Sequence, residues 1–138
     1  MHVMGMVSHH YFLFIIKKNI EIARILIQNG ANISARVGTA SWTLLHYAAL
    51  DNMHAEIAKV LLENGAEINA TISSGATPLH ISVAKGNIEV SKILMKNGAN
   101  VNEVKKNGFC PLKIAAQENH VAIAELLIRH GADTKLNQ

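Results

Sequence analysis

The string Asn-Gly-Ala recurs at a nearly fixed interval along the chain, and this repetition limits the folds that the chain can adopt. The glycines of the three Asn-Gly-Ala strings and of a related His-Gly-Ala string are separated by 35, 33 and 33 residues. A second set of strings, TLLHYAA, TPLHISV and CPLKIAA, begins at intervals of 34 and 33 residues. Two strings in phase indicate a stack of similar units, in which each unit contacts its neighbours. The glycines are Gly30, Gly65, Gly98 and Gly131.

The third unit shows most clearly how one repeat is expected to fold. Thr77 followed by Pro78 is typical of a helix N-cap and the first helical residue. The pattern predicts a short helix over 79–85 and a second helix over 88–96, which ends before Gly98. Isolated helices of this length are marginal in water. Each helix must therefore pack against the equivalent helices of neighbouring units.

A unit of this kind, with Thr-Pro-Leu-His, two short helices and a closing Leu-Leu-x-x-Gly-Ala, resembles the ankyrin repeat. The resemblance covers residues 19–136 and implies an all-α solenoid of helix-loop-helix units joined by hairpin-like turns. We divide the chain into a degenerate or truncated first unit and three clear ones, which form one continuous domain. These units are residues 1–36, 37–70, 71–103 and 104–138.

The resemblance also implies which residues form the framework. In the family the threonine hydroxyl and the histidine ring brace the start of the first helix, as Thr43 can with His46 and Thr77 with His80. Cys110 stands at this threonine position in the fourth unit, with lysine in place of histidine, so we expect that unit to be less firmly braced. Pro78 is expected to start the first helix of the third unit. The residues expected to end the second helices are Gly30, Gly65, Gly98 and Gly131.

The resemblance implies that the chain binds a protein or peptide partner through its turn tips and the concave face of its first helices. The residue before each threonine position projects toward the ligand in family complexes. Trp42 and Phe109 are then either anchors about 20 Å apart, on usual helix spacing, or side chains packed on their own loop and on the next turn. The expected partner-binding residues are Trp42, Leu50, Asp51, Ala76, Lys85, Phe109, Gln117 and Glu118.

Two questions stay open at the level of sequence. Either Tyr11–Ile16 is a degenerate first helix that covers the open end of the stack, or the chain starts partway into a longer array. Alternatively, the chain is a fragment of a larger ankyrin-containing protein, in which it serves as a structural spacer, a tether, or an autoinhibitory or assembly module. We expect a monomer, with end-to-end self-association as the alternative.

Composition and motif spacing argue against other functions. The formal net charge is +3 and no run of lysine or arginine exceeds two residues, so a nucleic-acid partner is not expected. The eight histidines lack the spacing of zinc ligands, and the glycines form no phosphate-binding loop. We therefore predict a protein that is not an enzyme and has no cofactor, metal or small-molecule substrate.

The single cysteine, Cys110, cannot form a disulfide within the chain. Since small secreted domains usually carry several cysteines, a reducing compartment is favoured. The sequence therefore predicts a cytoplasmic location, with the nucleus not excluded. Tyr11–Ile16 is much shorter than the roughly 20 residues that span a bilayer, and we expect no membrane span.

Overall fold

All seven regular elements that the computed structural model describes are α-helices. The described residues are 20–34, 36, 39–51 and 55–136, so Tyr11–Ile16 lies outside them. The predicted all-α fold is confirmed, and the predicted helix over 88–96 has the bounds expected for it. The helices are α1 (Ile20–Gln28), α2 (Leu44–Ala48), α3 (Ala55–Glu63), α4 (Pro78–Lys85), α5 (Ile88–Lys96), α6 (Pro111–Gln117) and α7 (Val121–Arg129).

The helices form two packed rows. Helix α4 packs against α2 on one side and α6 on the other, which makes the first-helix row. Helices α1, α3, α5 and α7 pack in succession and make the second-helix row. The two rows are joined within each of the last three units, by α2 with α3, α4 with α5 and α6 with α7.

Aliphatic side chains at equivalent positions fill the space between the rows. Leu61, Leu94 and Leu127 are each 0% exposed. In α5, Val90 and Leu94 stand four residues apart on one helical face and are both fully buried. Burial of one such side chain contributes about 1.5–3 kcal/mol. The repeated leucine is thus where α3, α5 and α7 join the core.

Backbone hydrogen bonds link the turns that precede the first helices. The Ser73 N–H donates to the Ala40 carbonyl at 2.8 Å, and the Lys106 N–H donates to the Ser74 carbonyl at 2.9 Å. Each turn therefore fixes the position of the next one along the stack. Because backbone groups make these bonds, the turn side chains are free to vary.

The turn conformation requires a positive φ at one position. Gly75 has φ +86°, and a Cβ there would lie 3.2 Å from the Lys106 backbone nitrogen. In the second unit Ser41 stands at this position, two residues before Thr43, with φ +64°. A non-glycine residue in this region is strained, so the turn of the second unit is the less favourable of the two.

Candidate functional site

A buried threonine–histidine pair starts the first helix of the second unit. The Thr43 N–H donates to His46 Nδ1 at 3.2 Å, and the Thr43 hydroxyl lies 2.7 Å from the same nitrogen. The Thr43 Oγ1 in turn accepts from the His46 N–H at 3.4 Å. His46 Nε2 donates to the Ala76 carbonyl of the next unit at 3.2 Å. Since a carbonyl only accepts, the ring is the neutral tautomer with its proton on Nε2.

The third unit repeats this arrangement. The Thr77 N–H donates to His80 Nδ1 at 3.0 Å, and the Thr77 hydroxyl lies 2.9 Å from that nitrogen. His80 Nε2 donates to the Phe109 carbonyl of the fourth unit at 3.2 Å. Each histidine therefore caps its own helix and fixes the turn of the following unit.

Burial keeps both rings neutral. Removal from water lowers the pKa of His46 from 6.5 to about 4, although its bond to the Ala76 carbonyl raises it in part. Burial likewise lowers the pKa of His80, against a smaller raising effect of its bond to the Phe109 carbonyl. The network around Nδ1 also needs an acceptor, which a protonated ring no longer offers.

The fourth unit lacks the threonine–histidine pair. Cys110 is the N-cap of α6 and makes no side-chain capping hydrogen bond. Lys113, at the histidine position, instead places its ammonium nitrogen 4.8 Å from the centroid of the Phe109 ring. This cation–π contact holds the Lys113 side chain at the surface. The side chains of His46 and His80, by contrast, are directed inward.

We expect Cys110→Thr to raise the free energy of unfolding by about 1 kcal/mol, because a threonine hydroxyl can accept from the Lys113 N–H as N-cap side chains do. Urea denaturation followed by circular dichroism measures the change. Cys110→Val is the matched control, since valine has the shape of threonine without the hydroxyl. Equal stability of the two variants would show that capping is not the cause.

The two predicted aromatic anchors are half-buried and rest on their own units. The Trp42 ring centroid lies 4.9 Å from that of Tyr47 and 5.9 Å from that of His46. Phe109 contacts Lys113 and also packs partly against the core. Neither ring is fully exposed and neither is fully buried, so each keeps a surface that a partner can contact.

The predicted first-helix residues lie on the surface at equivalent positions of successive units. Leu50 is half-buried against the core, and Asp51 is exposed just after α2. Lys85 ends α4, Gln117 ends α6, and Glu118 follows α6; all three are exposed. The packing of α2 on α4 and of α4 on α6 brings these residues into one line.

The expectation that Ala76 is exposed at a turn tip is wrong. Its side chain is only 4% exposed. Its carbonyl accepts from His46 of the preceding unit and from the Ile72 N–H at 3.0 Å. The first bond joins this turn to the second unit and the second closes the turn within the third unit, and the small side chain is packed in the interior. Ala76 is therefore removed from the candidate surface.

Sequence reasoning missed Asn87, which links the second and third units. Its side-chain amide donates to the Ala49 carbonyl at 2.8 Å, and the residue is 9% exposed. It also missed the buried hydrogen bond of 2.8 Å between the hydroxyls of Ser82 and Ser91. In the sequence Asn87 reads only as part of a helix stop, and nothing in the spacing points to a carbonyl 38 residues away.

Asn87→Ala is expected to lower the free energy of unfolding by about 1–3 kcal/mol, because it removes the hydrogen bond of a buried carbonyl. Chemical denaturation measures the loss. The matched control is Asn97→Ala, since the Asn97 amide also donates to a backbone carbonyl at 2.8 Å but is exposed. An equal loss of unfolding free energy in both variants would show that the burial of the Asn87 hydrogen bond adds nothing to its contribution to stability.

The described part of the chain offers neither a metal site nor a membrane-spanning helix. No group of three or more histidine, cysteine, aspartate or glutamate residues in it could hold a metal ion. None of its helices is long and apolar enough to cross a membrane.

Comparison with known proteins agrees with this architecture. A family model described as ankyrin repeats, in three copies, matches residues 9–72 and 45–138. A search of curated proteins gave no match. The matched residues extend over nearly the whole chain and include the threonine–histidine pairs and both helix rows. The chain belongs to the ankyrin-repeat family.

Proposed function

We propose that the chain binds a protein or peptide partner across its first-helix row and turns, without catalysis. Ankyrin repeats indicate a protein–protein interaction module in general. The observation that carries the finer proposal is a contrast between the two rows. At one repeat position, at or just beyond the end of successive first helices, the chain carries Asp51, Lys85 and Glu118, which alternate in charge. A surface that changes from unit to unit can be specific for one partner.

The first three helices of the second-helix row share a repeated pattern instead. An acidic residue and a basic residue three positions later form ion pairs in α1, at 3.7 Å between Glu21 and Arg24, and in α3, at 3.4 Å between Glu56 and Lys59. Such exposed pairs contribute little to stability. A pattern repeated between units supports a solvated outer row rather than a specific contact surface.

The half-buried aromatic rings support the same surface. Trp42 is held by Tyr47, and Phe109 is held by Lys113. Aromatic residues often dominate the energy of protein interfaces, and a side chain already held in place loses less entropy on binding. Trp42 and Phe109 are two units apart, or about 20 Å on usual helix spacing. They can anchor a partner at two points.

Site-specific photocrosslinking tests this proposal. A benzoylphenylalanine side chain is placed at Lys85 or Gln117 in the first-helix row, and at Glu89 or Lys96 in the second-helix row as matched controls. All four positions are exposed. Each protein is irradiated in cell lysate, and the crosslinked products are identified by mass spectrometry.

We expect one cellular protein to crosslink from both first-helix positions and from neither control. Crosslinking that occurs from the second-helix row, or equally from both rows, would contradict the proposed surface. Circular dichroism of each variant shows whether the helices are retained. Trp42→Ala and Phe109→Ala in the Lys85 background are then expected to reduce the yield of the same product.

A second candidate function, assembly through the fourth unit, is favoured by one observation. Ile128 on α7 is 48% exposed, whereas Met95 at the equivalent position of α5 is 5% exposed. Val121 on the same helix is 62% exposed. If this apolar surface joins two copies, sedimentation velocity will show a mass that rises with concentration and falls in Ile128→Glu. A mass independent of concentration rejects this candidate.

A further inference from the structure

A groove of about 520 Å³ lies beside the turn of the fourth unit. Its apolar lining includes Val104, Cys110 and Leu136, of which Val104 is 54% exposed. Lys113 and Lys135 also line it. The volume lies in the range of sites that bury a small ligand or a few side chains. The groove thus combines an apolar floor with two cations.

The only acidic residue that lines this groove within the described chain is Asp133. One of its carboxylate oxygens, Oδ1, accepts from the Lys135 N–H at 2.9 Å in a local turn. The Asp133 N–H donates to Asn102 Oδ1 at 2.8 Å. Asp133 therefore fixes the backbone of one wall. Its single charge leaves the groove positive, because two lysines face it.

The side chain of Lys113 is exposed at a repeat position that is buried in the second and third units. His46 and His80 occupy the equivalent position in the second and third units and are 0% and 1% exposed. Both donate inward to a backbone carbonyl. Lys113 is half-exposed, and its ammonium is held 4.8 Å from the Phe109 ring centroid. Lys113 therefore lies at the surface, where it contacts the aromatic ring and lines the groove.

The turn that precedes Phe109 adds positive charge nearby. The Lys105 N–H donates to the Phe109 carbonyl at 3.0 Å, so the lysine and the ring belong to one closed turn. Lys106 follows and is exposed. The equivalent positions of the third unit are Ile72 and Ser73, which carry no charge. The turn of the fourth unit therefore carries two lysines where that of the third unit carries no charge.

We propose that this groove binds an extended acidic segment of a protein partner, with carboxylates paired to Lys113 and Lys135 and an aliphatic side chain on the apolar floor. The inference rests on the proposed protein-binding function and names the chemistry of the partner. Charge complementarity between a basic groove and an acidic segment speeds association and excludes basic competitors.

A protein segment fits these features better than a nucleic acid does. Nucleic-acid sites track a phosphate backbone with many cations and offer aromatic faces for base stacking. This groove has two lysines and one carboxylate, and Lys113 contacts the Phe109 ring. The apolar residues Val104 and Leu136 suit aliphatic side chains. An acidic peptide with an aliphatic side chain complements both the positive charge and the apolar lining of the groove.

The test is a selection from a random peptide display library on the intact chain. Parallel selections use the double variant Lys113→Glu with Lys135→Glu and the matched control Lys92→Glu, which reverses an exposed charge on α5. The best peptide from the native chain is then synthesised with a fluorescent label. Its affinity is measured by polarisation at low and high salt, with single-stranded RNA as a competitor.

We expect peptides enriched in aspartate or glutamate next to leucine, isoleucine or valine. Their affinity is expected to fall at least about tenfold in the double variant, as for loss of paired charges, and to stay unchanged in Lys92→Glu. The double variant should itself select basic peptides. Selection without acidic enrichment, acidic enrichment that persists in the double variant, or displacement by RNA would overturn the proposal.

The outcome separates this inference from the proposed function. If first-helix crosslinking succeeds while selection gives no acidic peptides, the partner surface stands and its acidic chemistry is wrong. If acidic peptides bind the groove while crosslinking comes only from the second-helix row, the groove stands and the proposed surface is wrong. Thermal denaturation of the double variant checks that its loss of binding is not a loss of fold.

Discussion

Acidification from pH 7 to pH 4 is expected to lower the free energy of unfolding by about 3 kcal/mol through His46 alone. A pKa shift of one unit corresponds to about 1.4 kcal/mol, and burial lowers the pKa of His46 from 6.5 to about 4. His80 shifts in the same direction for the same reason. Since whole domains are stable by about 5–15 kcal/mol, the combined loss is a large part of the total.

The sign follows from which state binds the proton more tightly. The unfolded chain protonates its histidines near pH 6.5, whereas the folded chain holds His46 neutral down to about pH 4. Stability is therefore full above pH 6.5 and is lost progressively as the pH falls toward 4. Urea denaturation at a series of pH values measures the decline.

The double variant His46→Gln with His80→Gln is the control for this dependence. Glutamine keeps a side-chain donor and acceptor but does not titrate. We expect a lower stability at pH 7 and a much weaker decline between pH 6.5 and pH 4. A native chain whose His46 ring signals shift between pH 7 and pH 5.5 in nuclear magnetic resonance spectra would contradict the neutral buried ring. That second measurement needs no variant.

Leu94→Ala is expected to lower the free energy of unfolding by about 2–5 kcal/mol. Leu94 is 0% exposed, and truncation of a buried leucine loses both its burial and the packing around the cavity left behind. Helix α5, which carries it, packs against α3, α4 and α7. The cavity therefore weakens contacts with both neighbouring units as well as its own.

Because the units depend on their neighbours, we expect the variant to unfold in one transition at a lower urea concentration. Circular dichroism at the helix band and fluorescence of Trp42 in the second unit should report the same midpoint. Ile25→Ala on α1, where the side chain is 55% exposed, is the control and is expected to cost far less. Midpoints that differ between the two probes would show that the units unfold separately.

The regular part of the fold could be predicted from the repeated strings. The second helix of the third unit has the predicted bounds, since Asn-Gly-Ala marks its end and Val90 with Leu94 sets its buried face. The first helix of that unit begins at Pro78, one residue before the predicted range of 79–85 but at the residue that the Thr-Pro pair indicates as the first helical one. These features depend on residues close in sequence, so one unit read alone contains their causes.

The candidate surface was predicted less completely. Asp51, Lys85, Gln117 and Glu118 lie exposed where the repeat register places them. Ala76 does not, because its side chain is a single methyl group: Phe109 makes the same carbonyl bond to a histidine of the preceding unit, yet its larger ring stays half-exposed. The ring contacts of Trp42 and Phe109 depend on Tyr47 and Lys113, which the repeat pattern does not mark as partners of an aromatic ring.

The sequence by itself determined the repeat, the two helices of each clear unit and the capping pairs, because capping and helical periodicity act within a few residues. Only the tertiary structure decided which groups distant in the chain come together. Asn87 reaches the Ala49 carbonyl of the preceding unit, and Lys113 lines a groove with Lys135 within the fourth unit. These arrangements arise when helices and turns pack, and the two residues of each pair lie 38 and 22 positions apart in the chain. The spacing of strings within a unit carries no information about them.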